Sequence, residues 1–260
     1  MIVRVLKKRR VYLALFLCLS FSAGATELCR ATGPLERAQI KRIVDGDTIH
    51  LSDGRKVRLV GINTPELDHK TGHHQAYAEQ ARQFLASRLE GEVFIQKARS
   101  DQDRYGRKLY YLFDKDRISL TSQLLSEGLG YRIAVPPNLA YQACFVDAEN
   151  AARKAHKRLW QHNLQWQPQA GFAIARVNIS SVTRNRGGWW LETQQDLVIN
   201  LSPYVSDYWP AQTVFSLQGK TIEIRGWQHH RKNRNNAFKS WVLSVRHPND
   251  LREIKDLNSN

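Results

Sequence analysis

The sequence predicts an α+β fold: a five-stranded OB-fold β-barrel with helices, followed by a second, smaller OB-like β-barrel. Three observations carry this. From Gln39 to Phe113, short runs rich in β-branched and apolar residues alternate with turn-forming Asp-Gly and Ser-Asp-Gly stretches. One helix-forming stretch separates the third run from the fourth. The same succession then returns beyond a polar, glutamine-rich stretch near Gln165.

In order, Gln39–Val44, Asp47–Leu51 and Lys56–Ile62 read as a three-strand meander, turned at Asp45-Gly46-Asp47 and at Ser52-Asp53-Gly54. Ala76–Leu89 places Phe84, Leu85 and Leu89 among helix formers and reads as a helix. Glu92–Ala98 and Lys108–Phe113 supply strands four and five, which completes the β-β-β-α-β-β order of an OB barrel. Leu120–Glu127 reads as a helix stopped at Gly128. Leu139–Trp160 carries Phe145, Ala148, Ala152, Ala155 and Leu159 at helical spacing. After a linker containing Pro168, Phe172–Val182, Gly188–Thr193 and Leu197–Leu201 read as strands. A helix over Val205–Leu217, interrupted by Pro210, and strands over Lys220–Trp227 and Phe238–Val245 finish the second unit.

The 260 residues suffice for two domains, and 42% hydrophobic residues suffice for their cores. Lys and Arg number 39 against 24 Asp and Glu, a net charge of +15 that predicts attraction to polyanions such as nucleic acid, anionic membrane or cell-wall polymers. Part of that charge belongs to a targeting segment. Arg4, Lys7, Lys8, Arg9 and Arg10 precede an apolar run from Val11 to Phe21, and Ala23-Gly24-Ala25 offers small residues for cleavage. The run is shorter than the roughly 20 residues of a membrane span. The expected organisation is therefore an export signal over residues 1–25, a first domain over 26–166 and a C-terminal domain over 167–260. The protein is expected to be secreted or periplasmic, with no stable membrane insertion once the signal is removed. Cys18 falls in the signal, and the remaining Cys29 and Cys144 are read as a disulfide in an oxidising compartment, the alternative being two free thiols.

Three stretches carry chemistry: Val44-Asp45-Gly46-Asp47-Thr48-Ile49, Val57-Arg58-Leu59-Val60-Gly61-Ile62-Asn63-Thr64-Pro65-Glu66 and Asp101-Gln102-Asp103-Arg104-Tyr105-Gly106-Arg107. The meander brings Asp47, at the start of strand two, toward Asn63 and Thr64 at the end of strand three, an oxygen-rich corner suited to a hard cation such as Ca²⁺. Arg58 and Arg107 belong to the same barrel, and paired guanidiniums suit a phosphate because each donates two parallel hydrogen bonds. Glu66 supplies a carboxylate able to activate water.

Together these stretches resemble the staphylococcal nuclease (thermonuclease) family, over about Gln39 to Trp160. The D-G-D-T, R-L-x-x-I-x-T-P-E and D-x-Y-G-R signatures stand in family order and spacing, followed by Glu127-Gly128-Leu129 and a closing Arg158-Leu159-Trp160. The resemblance implies a Ca²⁺-dependent nuclease that cuts DNA or RNA between phosphorus and the 5′ oxygen, leaving 3′-phosphate ends. It implies Asp47 as a carboxylate ligand of Ca²⁺ and Thr64 as a ligand through its backbone carbonyl. It implies Arg58 and Arg107 as the pair that neutralises the transition state and Glu66 as general base. Asp45 and Asp103 correspond to supporting acids.

Two departures stand out. Asn63 occupies a position where the family commonly has aspartate; an amide oxygen can still ligate calcium, but with one negative charge fewer the site should bind the ion more weakly. In the segment Tyr131-Arg132-Ile133-Ala134-Val135-Pro136, only Tyr131, with nearby Tyr105, remains to contact a nucleotide, so base preference does not transfer. His69, His73 and His74 are clustered but have no cysteine nearby and read as a solvated loop rather than a zinc site. In the C-terminal domain, His229, His230, Arg231, Lys232 and Arg234 lie beside Trp189, Trp190, Trp227 and Trp241, a combination suited to single-stranded nucleic acid. The rival to a nuclease is an exported, non-catalytic nucleic-acid-binding protein that uses two barrels to hold polyanion.

Overall fold

The computed structural model describes residues 29–68, 70–231 and 238–254; the expected export signal, His69, Lys232 and Arg234 lie outside them. Five strands form the first barrel: β1 (Glu36–Ile43), β2 (Thr48–Leu51), β3 (Lys56–Leu59), β5 (Glu92–Gln102) and β6 (Lys108–Phe113). β1 pairs antiparallel with β2 and β5, β2 with β3, and β5 with β6; the parallel pair β3–β6 closes the ring. Alternate residues of each strand point inward. Ile49, Leu51, Val57, Leu59, Val93 and Ile95 are each at most 1% exposed, and every such side chain contributes about 1.5–3 kcal/mol of apolar burial.

The apolar run Lys56–Ile62, expected as one strand, is two. Gly61 takes φ +88°, and a Cβ there would lie 2.5 Å from the Phe145 ring, so the chain turns between Leu59 and Ile62. The far side of that turn, β4 (Ile62–Asn63), leaves the barrel and pairs with β7 (Tyr131–Arg132), placing Asn63 opposite Tyr131. Three helices pack around the barrel: α1 (Ala78–Arg88), α2 (Leu120–Ser126) and α3 (Gln142–Lys154). The helix expected over Leu139–Trp160 is shorter. Tyr141 has φ 65° before its first turn, and His156 and Arg158 have positive φ after its last, so a separate 3-10 turn, Arg158–Gln161, carries Leu159 and Trp160. Cys29 and Cys144 are joined by a disulfide, Cα–Cα 5.8 Å, which ties the N-terminal arm to α3.

The second unit repeats this plan. β8 (Gly171–Asn185) pairs antiparallel with β9 (Gly188–Thr193) and with β11 (Thr221–His230); β9 pairs with β10 (Leu197–Leu201), and β11 with β12 (Trp241–Val245). The parallel pair β10–β12 closes the ring, as β3–β6 does in the first barrel, and β13 (Leu251–Glu253) adds an edge to β11. The helix expected over Val205–Leu217 is divided at Pro210 into a 3-10 segment, Pro203–Tyr208, and α4 (Ala211–Phe215), because proline lacks the amide hydrogen and disfavours helical backbone at Trp209. No helix among the described residues is long and apolar enough to cross a membrane.

Candidate active site

The turn between β1 and β2 is shaped by Asp45, whose Oδ1 accepts from the Asp47 amide at 2.9 Å. Gly46 lets the chain pass close to its neighbours, since a Cβ there would lie 2.6 Å from Ala81 Cβ and 2.9 Å from Thr64 Cγ2. Asp47 is 2% exposed, and Thr64 is packed against it. Asp47 Oδ2 accepts from the Thr64 amide at 2.8 Å and pairs with Arg58 Nη2 at 2.9 Å.

Arg58 is 8% exposed and draws β3 and β4 together. Its Nη1 donates to the carbonyls of Leu59 and Ile62, 3.0 Å each, and its Nη2 donates to Asn63 Oδ1 at 3.2 Å. Arg107 stands on the β5–β6 turn, where Asp103 holds it: Oδ2 accepts from Nε at 2.8 Å and Oδ1 from the Arg107 amide at 3.0 Å. Burial of Asp103 would raise its pKa, but these bonds outweigh it and hold the carboxyl below its usual range. Thr48 connects Arg107 to Asp47, the partner of Arg58. Its hydroxyl donates to Asp47 Oδ1 at 3.1 Å and accepts from Arg107 Nη1 at 3.4 Å. Thr48 stands in the D-G-D-T signature, but nothing there marks its hydroxyl as a bridge between charged side chains.

Glu66 follows as an exposed residue between buried Pro65 and Leu67, anchored by Gln75, whose Oε1 accepts from the Glu66 amide at 2.9 Å. Partial desolvation raises the Glu66 pKa and the Asp47 charge adds to the rise, while Arg58 and Arg107 oppose it. Burial pushes Asp45 up to about 7, with Asp47 and Glu66 contributing repulsion. The acids therefore crowd one corner with more negative charge than Arg58 alone offsets, and Arg107 is already paired with Asp103. Among the described residues, no group of three or more His, Cys, Asp or Glu side chains is arranged to hold a metal ion. Two neighbouring carboxylates, the Asn63 amide and the Thr64 carbonyl nonetheless form an oxygen-only donor set with surplus negative charge, which fits a hard divalent cation.

Two expected substrate contacts are placed differently from each other. Tyr105 is 67% exposed, and its ring lies 5.5 Å from the Arg107 guanidinium. Tyr131 is half-buried. Its ring packs edge-on against Trp160 (5.3 Å) and stacks on Phe172 of β8 (5.8 Å), because these two apolar rings from either side of the linker enclose it. His229, His230 and Arg231 sit on the second barrel, at the end of β11, rather than on the barrel that carries Asp47. There His230 meets Trp241 edge-on at 5.4 Å, and Arg231 lies 5.1 Å over Phe238.

A family model described as "Staphylococcal nuclease homologue" matches residues 56–162. The thermonuclease of Staphylococcus intermedius is 33% identical over 126 residues, covering 47% of this chain and 74% of that protein. The chain belongs to the staphylococcal nuclease family. Other relatives of the family align over the same extent. The thermonuclease of Staphylococcus hyicus is 30% identical, covering 48% of this chain and 75% of that protein. The micrococcal nuclease of Shigella flexneri is also 30% identical, covering 48% and 73% respectively. The family model ends at residue 162, before the second barrel begins.

Proposed function

We propose that this chain is a calcium-dependent nuclease that hydrolyses phosphodiester bonds of DNA, RNA or both, cutting between phosphorus and the 5′ oxygen to leave 3′-phosphate ends. One observation carries the reading: Asp47, Arg58, Asn63, Thr64, Glu66 and Arg107, from three separate sequence stretches, converge at one end of one barrel. The names of its relatives, two thermonucleases and a micrococcal nuclease, support the same class of substrate.

Asp47, Asn63 and the Thr64 carbonyl would hold the ion, with Asp45 in support. When bound, calcium supplies Lewis-acid polarisation of a phosphoryl oxygen. Glu66 takes a proton from water, and its raised pKa brings it nearer to the range of a working base. The hydroxide oxygen bonds to phosphorus, Arg58 and Arg107 donate hydrogen bonds to the charge that grows on the phosphoryl oxygens, and the bond to the 5′ oxygen breaks, that oxygen taking a proton from solvent water to leave as a 5′-hydroxyl. Tyr105, exposed beside Arg107, offers a face for a base. His229, His230 and Arg231 extend the polyanion-binding surface onto the second barrel. Export through residues 1–25, and division of the remaining chain near residue 166, belong to the same reading.

The test is cleavage of plasmid and denatured DNA by the purified protein, in Ca²⁺ and in EGTA, with Arg58→Ala and Glu66→Ala alongside. Loss of activity in EGTA and a loss of roughly 10²-fold or more in each variant are expected. Calcium-independent cleavage, or full activity in both variants, defeats the mechanism. A binding-only reading has one observation in its favour, namely that Arg58 is occupied by Asp47, Asn63 and two carbonyls. Retention of DNA without cleavage by the wild-type protein would select it.

A further inference from the structure

The outer edge of β7 is completed by side chains instead of a third strand. There the Arg132 amide donates to Glu149 Oε1 at 2.9 Å, and the Arg132 carbonyl accepts from Arg225 Nη1 at 2.8 Å. The next amide on that edge, Ala134, donates to both carboxylate oxygens of Asp250, 3.0 Å each. Arg225 also pairs with Glu149 at 2.6 Å, so a single ion pair offers the acceptor and the donor that a neighbouring strand would offer. Arg225 and Asp250 are 3% and 5% exposed, and both come from the second barrel.

The placement matters because of what lies across the ribbon. Ile62 faces Arg132 and Asn63 faces Tyr131, so these contacts are one strand away from the amide that meets Arg58. Thr64, which follows, gives its N–H to Asp47. Apolar side chains would join two domains with less desolvation, but they would leave the Arg132 carbonyl and the Ala134 amide without partners. Charged groups in this position do what packing alone does not. They fix the backbone of β7 in one register against β4.

We propose that the second barrel is a working part of the candidate active site: Arg225 and Asp250 are positioning residues that cap the open edge of β7 and thereby hold Asn63 and Thr64 in place. The proposal rests on the reading of the site given above and adds to it a role for the C-terminal domain.

The experiment uses the full chain carrying Arg225→Met, Arg225→Lys, Asp250→Asn or Leu243→Ala, the last a change in the core of the second barrel. Hydrogen exchange of residues 60–66, Ca²⁺ binding by calorimetry, and kcat and KM on denatured DNA are measured below the melting temperature of each variant. Arg225→Met and Asp250→Asn should speed exchange in that segment by about tenfold. They should weaken Ca²⁺ binding, and lower kcat by about tenfold with little change in KM, the pattern of a misplaced site rather than lost substrate binding. Arg225→Lys should recover part of each, and Leu243→Ala should leave all of them near wild type. Wild-type exchange and Ca²⁺ binding in Arg225→Met and Asp250→Asn overturn the proposal. So do equal changes in Leu243→Ala, which mark a general loss of stability. If Arg225→Met does not fold, Asp250→Asn and Arg225→Lys decide by the same readings. A wild-type chain that neither binds Ca²⁺ nor cleaves DNA defeats the reading of the site, while the exchange comparison still decides the brace.

Discussion

The Asp47 carboxylate lies 2.9 Å from Nη2 of Arg58, with both side chains buried in the first barrel. This pair ties the β1–β2 turn to the end of β3. It also leaves each partner dependent on the other for its charge balance.

Removing Arg58 should therefore affect stability as well as catalysis. In Arg58→Ala, Asp47 remains buried without its partner, at a cost of about 3–5 kcal/mol. Urea unfolding checks this, and added Ca²⁺ should restore part of the loss by taking the place of the missing positive charge.

Asn63 is the position where chemistry and charge balance meet. Asn63→Asp adds a carboxylate beside Arg58 and among the candidate ligands, so the Ca²⁺ concentration for half-maximal cleavage should fall. A calcium titration of activity reads this directly. An unchanged or higher midpoint argues against Asn63 as a ligand.

Thr48 links Asp47 to Arg107 through its hydroxyl. Thr48→Val keeps the shape and removes both hydrogen bonds, which at about 0.5–1.5 kcal/mol apiece should lower kcat/KM by roughly five- to 150-fold where the whole loss falls on the transition state. Steady-state kinetics on denatured DNA measures the change.

The first barrel and most of its candidate site were legible because their signals are local. Asp-Gly turns, β-branched runs and the glycine at Gly106 each act within a few residues. The separate β4–β7 ribbon was not legible, since Gly61 lies inside a continuous apolar run and its need for a turn comes from the ring of Phe145 far along the chain. Thr48 stands in the D-G-D-T signature, yet its bridging role is not legible, because a strand threonine looks the same whether or not it bridges two charged side chains. Nothing local marks Arg132, Glu149, Arg225 and Asp250 as partners either. Their pairing exists only once two barrels are folded and docked. Tyr131 shows the converse: its motif pointed toward substrate, whereas Trp160 and Phe172 draw it into the domain interface.

Acid should loosen that interface. Burial alone would raise the pKa of Glu149 and Glu223, yet for Glu149 the charge and hydrogen bond of Arg225 prevail, and for Glu223 those of Arg153 and Arg225, leaving both carboxyls below the ordinary 4.5. A depressed folded-state pKa means stability that is present above 4.5 and lost as pH falls through the folded value. Asp250 works in the opposite direction, since burial pushes it up to about 7, so its contribution becomes more favourable as pH falls from there toward 3.8. Unfolding free energies should therefore drop steeply only below about pH 4.5, with a smaller drop in Glu149→Gln, as urea titrations across pH 3–7 will measure.

The proposed reaction breaks one bond, between phosphorus and the 5′ oxygen, with Arg58, Glu66 and Arg107 around it. Hydrolysis of a short single-stranded oligonucleotide in ¹⁸O-labelled water with Ca²⁺, followed by mass analysis of the ends, tests it most directly. The expected result is ¹⁸O in new 3′-phosphates, free 5′-hydroxyls, and no products in EGTA or with Glu66→Gln. Products with 5′-phosphates and 3′-hydroxyls, or undiminished cleavage without Ca²⁺, would contradict it.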